Sequence, residues 1–123
     1  MNIRHGLTVL FASLMFTGSA VAQSPSPTSR RAPYDAALLC FLANGRAHGM
    51  RERAGDTAKA AYYESKAAES YGVAEALGAA LGFSKQQVGR DAAAAQAEHL
   101  AAMVRDDAYF RQIVANCKAL GLM

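Results

Sequence analysis

Apolar and polar positions alternate at helical spacing over most of the chain. No stretch shows the two-residue alternation of a strand. Four segments carry the pattern. The first runs from Tyr34 or Asp35 to Arg53, with Leu38, Phe41, Leu42 and Gly45 recurring at threes and fours and Leu39, Cys40 and Met50 beside them. Asp35 puts an acid at its start, which suits the helix dipole. Gly55 supplies a stop, and Asp56 an N-cap for the next helix. The second segment extends from Thr57 to about Leu81. Its stripe is Ala60, Tyr63, Ala67, Tyr71, Ala74, Leu77 and Leu81. Gly72 and Gly78, on or near that stripe, leave room for a neighbouring helix. Gly82 ends the segment.

Ser84-Lys85-Gln86-Gln87 then fits a Ser-x-x-Gln capping box, with Phe83 and Val88 placed as a hydrophobic staple. The third apolar face is expected to be Val88, Ala92 or Ala93, Ala97, Leu100 and Val104. The fourth segment opens at Asp106-Asp107. Its face is Phe110, Ile113 or Val114, Cys117 and Leu120, and Gly121 is its stop. Short connections between amphipathic helices favour antiparallel neighbours, so the expected fold is all-α, a small up-down four-helix bundle.

What precedes the helices is of two kinds. Residues 1–22 read as a cleaved signal peptide: Arg4 without an acid, an apolar run from Gly6 to Phe16, and Ala20-Val21-Ala22 as a small-x-small cleavage pattern before Gln23. The apolar run is too short for a spanning helix, which needs about 20 residues. No cysteine stands at its end for lipid attachment. Residues 23–33 are polar and Pro/Ser-rich, and are expected to form a flexible leader. The single helical domain is then 34–123. The expected address is periplasmic or secreted, with no membrane span after cleavage.

Composition changes the picture in two respects. The net charge of +3 overstates the basicity of the domain. Arg4 goes with the signal, and Arg30 and Arg31 lie in the leader, so residues 34–123 hold ten basic and ten acidic side chains. A domain without basic excess is not expected to bind nucleic acid. The apolar content is rich in Ala, which buries little area per residue, and a small thin core calls for a staple. Cys40 and Cys117, the only cysteines, supply it as a disulfide in an oxidising compartment. In an up-down bundle Cys40 and Cys117 fall at one level of the adjacent first and last helices, so the pairing and the topology support each other.

Chemistry is sparse. The chain holds no Gly-x-Ser-x-Gly, no Ser-x-x-Lys and no phosphate-cradling glycine loop. Asp106-Asp107 is better explained as a cap than as a catalytic dyad. Apart from Glu52 four positions after His48 and Met103 four after His99, the histidines lack companions at metal-ligand spacing, and no Cys-x-x-Cys-His is present for haem attachment. No catalytic residue, metal or cofactor is therefore assigned, and the sequence leans away from an enzyme. Tyr63, Tyr71 and His99 are the candidate ligand contacts. The function expected first is a non-catalytic, stress-related or interaction protein of the cell envelope, its partner an unidentified envelope protein. In architecture alone it is similar to small periplasmic acid-stress chaperones, which are helical and carry one disulfide. The alternative is a carrier of a small ligand or metal in the bundle interior.

Overall fold

The computed structural model describes residues 27–123. The signal-peptide assignment and residues 23–26 of the leader lie outside the described residues. Four helices follow in order: α1 (Pro27–Arg53), α2 (Thr57–Ala80), α3 (Lys85–Arg105) and α4 (Asp107–Ala119), with no strand among the described residues. Tyr34 lies at the level of Gly78, and His48 at the level of Ala60, so α1 and α2 are antiparallel. Tyr34 bonds to Asp91, while Leu42 to Arg53 lie beside Leu100 and Val104, so α3 runs parallel to α1. Cys40 meets Cys117 and Arg46 meets Phe110, which sets α4 antiparallel to α1. The topology is up-down-up-down.

The turns follow the local signals. Asp56, Ser84 and Asp106 each accept a hydrogen bond from the backbone N–H three residues on, at 3.1 Å in every case. Gly55, Gly82 and Gly121 are the positive-φ residues of the described chain, between 72° and 83°. Each occupies the left-handed position after a helix, where a Cβ would be strained. The Ser84 box closes by half. The Gln87 side chain turns away from the cap and donates to Asp91 at 2.8 Å.

Helix α1 is the hub of the core. Tyr34, Ala37, Leu38, Cys40, Leu42, Ala43, Asn44 and Ala47 are all buried, a spread too wide for one stripe. A helix buried on several sides is packed by several neighbours, here α2, α3 and α4. Its seam with α2 is made of small residues: Ala60, Ser70, Ala74 and Gly78 are the buried positions of α2, and they let the two backbones approach. The Cys40–Cys117 disulfide joins the first helix to the last, with Cα atoms 5.6 Å apart and both cysteines 1% exposed.

Four details differ from the sequence expectation. First, α1 begins at Pro27, so residues 27–33 are helix rather than leader. The Arg31 guanidinium lies 5.3 Å from the Phe83 ring centroid and 5.6 Å from that of Tyr34, and it pairs with Asp35 and Asp91 at 3.4 and 3.5 Å. Those contacts order a segment whose composition argues for disorder, and Pro33 is carried inside the helix. Arg30 and Arg31 thus belong to the folded part, which is slightly basic rather than neutral. Second, the α3 face is Val88, Ala92 and Met103; Met103 is fully buried and Val104 is 57% exposed. Third, Leu120 is exposed, and the chain reverses at Gly121 so that Leu122 enters the core in its place. The Leu122 N–H donates to the Cys117 carbonyl at 2.9 Å, closing a Schellman-type cap. Fourth, Gly78 makes the close approach, to Tyr34 and Val88, whereas Gly72 faces open space.

Candidate functional site

Three groups of polar or concave features stand out. The first lies where the N-terminal halves of α1 and α3 meet. Tyr34 is fully buried and its hydroxyl donates to Asp91 at 2.7 Å. Asp91 also accepts from Gln87 and pairs with Arg31. Burial, then the bond to Asp91 and its charge, push the Tyr34 phenol far above its ordinary pKa. Tyr34 is therefore a permanent donor. Beside this cluster is a cleft of about 340 Å³ whose polar lining is Arg31, Asp35, Asp91, Glu98 and His99. His99 Nδ1 is 2.9 Å from the Tyr109 hydroxyl, and its Nε2 is 3.6 Å from Glu98. That ties α3 to α4 across their shared turn.

The second group is internal. Asn44 and Ser70 are the buried polar side chains of the core. The Asn44 amide nitrogen donates to the carbonyls of Cys40 and Leu122 at 2.8 and 2.7 Å, and lies 3.4 Å from Ser70 Oγ. Ser70 donates in turn to the Lys66 carbonyl at 2.9 Å. Three acceptors around one amide nitrogen fix its orientation, while Asn44 Oδ1 has no partner. The cluster is a structural joint between α1, α2 and the C-terminal turn.

The third group consists of two grooves. One, between α1, α2 and α4, is lined by Met50, Tyr63, Phe110 and Val114 among others and encloses about 410 Å³. The other, between α1 and α3, holds about 360 Å³.

The residues singled out in the sequence fall in separate places. Tyr63 lines the α1–α2–α4 groove and packs edge-on against Tyr62 at 5.3 Å. Tyr71 packs edge-on against Phe41 at 5.1 Å, with its hydroxyl near Gly89. His99 lines the α1–α3 cleft, which contains neither tyrosine, and the groove of Tyr63 contains neither Tyr71 nor His99. His48 is a strut: its Nδ1 is 2.8 Å from the Ala60 carbonyl, an acceptor only, so that nitrogen carries the proton and donates. Among the described residues no group of three or more His, Cys, Asp or Glu side chains is placed to hold a metal ion, and no helix is long and apolar enough to cross a membrane.

Sequence reading passed over Tyr34, Asn44, Asp91 and Arg46. Each is an unremarkable residue type inside a helix, and each gains its role from a partner on another helix. Asn44, a polar residue amid the apolar positions of α1, carried the one signal that could have been read. No protein-family model, curated protein or solved structure matches the chain.

Proposed function

We propose that this is an exported, non-catalytic interaction protein of the cell envelope, acting as a disulfide-clipped helical domain. The observation that carries the reading is the Cys40–Cys117 bond, buried between first and last helices. Such a clip persists in oxidising compartments and is rare where glutathione keeps thiols reduced. It follows a segment with the order of a signal peptide: charge, apolar run, small-x-small. The polar groups of the fold support the rest. Tyr34, Asn44, His48 and Ser70 are spent on ties between helices, which is what a scaffold needs and what a reaction centre does not.

Expression of the full chain in a bacterium with an outer membrane tests this. The expected product is found in the periplasmic fraction, begins at Gln23, and shows no alkylatable thiol until denatured and reduced. A full-length cytosolic product with two titratable thiols overturns export. The interaction part is tested by crosslinking the oxidised protein within the envelope and identifying what it holds. The stress-related form predicts that the protein suppresses aggregation of a test client after acidification. Failure with every client tried removes that form.

A further inference from the structure

The groove between α1 and α3 is built differently from the rest of the surface. Its walls are apolar: Phe41 and Leu42 from α1, and Leu100 and Val104 from α3, with Val104 57% exposed. Its α1 side is opened by Gly45 and Gly49. A Cβ at Gly45 would meet nothing within 4 Å, so the missing side chain is not required by packing inside the fold. A Cβ at Gly49 would lie 3.4 Å from Arg53 Nη1, which places the Arg53 guanidinium back along the helix over this glycine.

Two cations and no acid line this groove, the cations being Arg46 and Arg53. Four cations of the fold are paired with acids, Arg31 with Asp35 and Asp91, Lys66 with Glu69, Lys85 with Glu75 and Arg111 with Asp107; what distinguishes this groove is that its two cations border apolar walls and that one of them is partly buried. Among the described residues neither Arg46 nor Arg53 forms an ion pair or a hydrogen bond. Arg46 is held by stacking, its guanidinium 4.6 Å from the Phe110 ring centroid, and its Nε is buried with no acceptor. A buried donor without an acceptor is costly unless something meets it. An apolar trough with two forked donors and no carboxylate is complementary to an apolar body that ends in an acidic oxyanion.

We infer that the α1–α3 groove is a binding site for a small anionic amphiphile. Its alkyl part lies between Phe41, Leu100 and Val104 over Gly45, and its carboxylate or phosphate head is taken by Arg46 and Arg53. The volume, about 360 Å³, lies near the lower end of ligand pockets, which span about 300–1,000 Å³. That suits a single medium-length chain. The inference goes beyond the interaction reading and does not depend on it, since it concerns the purified protein alone.

Calorimetric titration of the oxidised protein below micelle-forming concentrations tests it, with decanoate, decyl phosphate, decanol and decyltrimethylammonium as probes. One or both anions bind at one site per chain, and the stronger of the two identifies the head group. The alcohol and the cation bind at least about tenfold more weakly. Gly45→Leu, which fills the groove and improves helix propensity, abolishes binding without lowering the melting temperature. Arg53→Gln and Arg46→Gln each weaken it. If Arg46→Gln unfolds through loss of the Phe110 stack, Arg53→Gln and Gly45→Leu decide. The inference is overturned by equal binding of the cation, by binding that survives Gly45→Leu, or by no binding of either anion. It is overturned equally if sedimentation shows a dimer that Gly45→Leu dissociates, because a second copy of the chain then fills the groove.

Discussion

The side-chain amide of Asn44 donates to the backbone carbonyl of Leu122 at 2.7 Å, across 78 residues of sequence. One buried amide thereby fixes the turn after α4 to the middle of α1. Asn44→Leu keeps the approximate volume but removes the short bond to the Leu122 carbonyl, leaving it only the long Ser70 hydroxyl contact at 3.4 Å. A buried unpaired acceptor costs about 1–3 kcal/mol, and urea denaturation should show a loss of that size. Asn44→Asp should cost more, because a carboxylate would face the Cys40 and Leu122 carbonyls. Ser70→Ala should cost least, since the two principal Asn44 bonds survive it. An order other than Asp, Leu, Ser70→Ala would show that the amide is not the joint described.

The disulfide should carry a large part of the total stability. Closing the segment between Cys40 and Cys117 is worth about 4–5 kcal/mol on the chain-entropy model, and removal of native disulfides from small domains costs about 2–5 kcal/mol. Cys40→Ala with Cys117→Ala should therefore lower the unfolding free energy by several kcal/mol, close to the whole stability of a marginal domain. Equilibrium denaturation of the oxidised protein against the double variant measures it. A difference below about 1 kcal/mol would mean that the Ala-rich core is self-sufficient.

Two glycines of α2 should respond in opposite directions to alanine. At Gly72 an added Cβ meets nothing within 4 Å, so Gly72→Ala should stabilise by about 0.5–1 kcal/mol through helix propensity. At Gly78 it would lie 2.9 Å from Val88 Cγ2 and 3.1 Å from Tyr34 Cε2. Both neighbours are fully buried and have little room to give, so Gly78→Ala should destabilise by about 1–3 kcal/mol. Paired thermal melts give the comparison.

Tyr34 gives the fold an alkaline limit. Burial, the bond to Asp91 and the Asp91 charge hold its pKa well above the unfolded value near 10. A raised folded-state pKa means that the stabilisation is complete below about pH 10 and is lost as pH climbs from there through the folded value. Denaturation midpoints of the native protein should fall progressively as the pH rises above about 10. Tyr34→Phe should be less stable at pH 7, having lost one bond, but should show a shallower decline. Parallel pH profiles would argue against Tyr34 as the responsible group.

Much of the architecture was legible because its signals are local. Asp56, Ser84 and Asp106 announce caps by type and spacing, and Gly55, Gly82 and Gly121 announce stops. The two cysteines announce each other. Facing directions were harder. In α3, alanines surround every candidate stripe, so Met103 and Val104 compete on nearly equal terms in sequence, and only the packed fold buries Met103 and leaves Val104 exposed. Leu120 and Leu122 compete likewise, and the reversal at Gly121 awards the core to the second. The start of α1 was misread because a Pro- and Ser-rich composition says nothing of Phe83 and Asp91, which hold Arg31 from 52 and 60 residues away. Concave features were the least legible of all. The groove of Arg46 and Arg53 is a relation between α1 and α3, and its most informative property, the buried Arg46 Nε without an acceptor, exists only once the helices are packed.

The Cys40–Cys117 bond also decides how the molecule fails. The three interhelical turns, at Gly55, Gly82 and Asp106, all lie between the two cysteines. A protease that cuts any one of them releases no fragment: both pieces stay on one covalent frame, their helices still opposed. The severed molecule keeps its mass and can close again around the same core. Only reduction turns the nick into a separation.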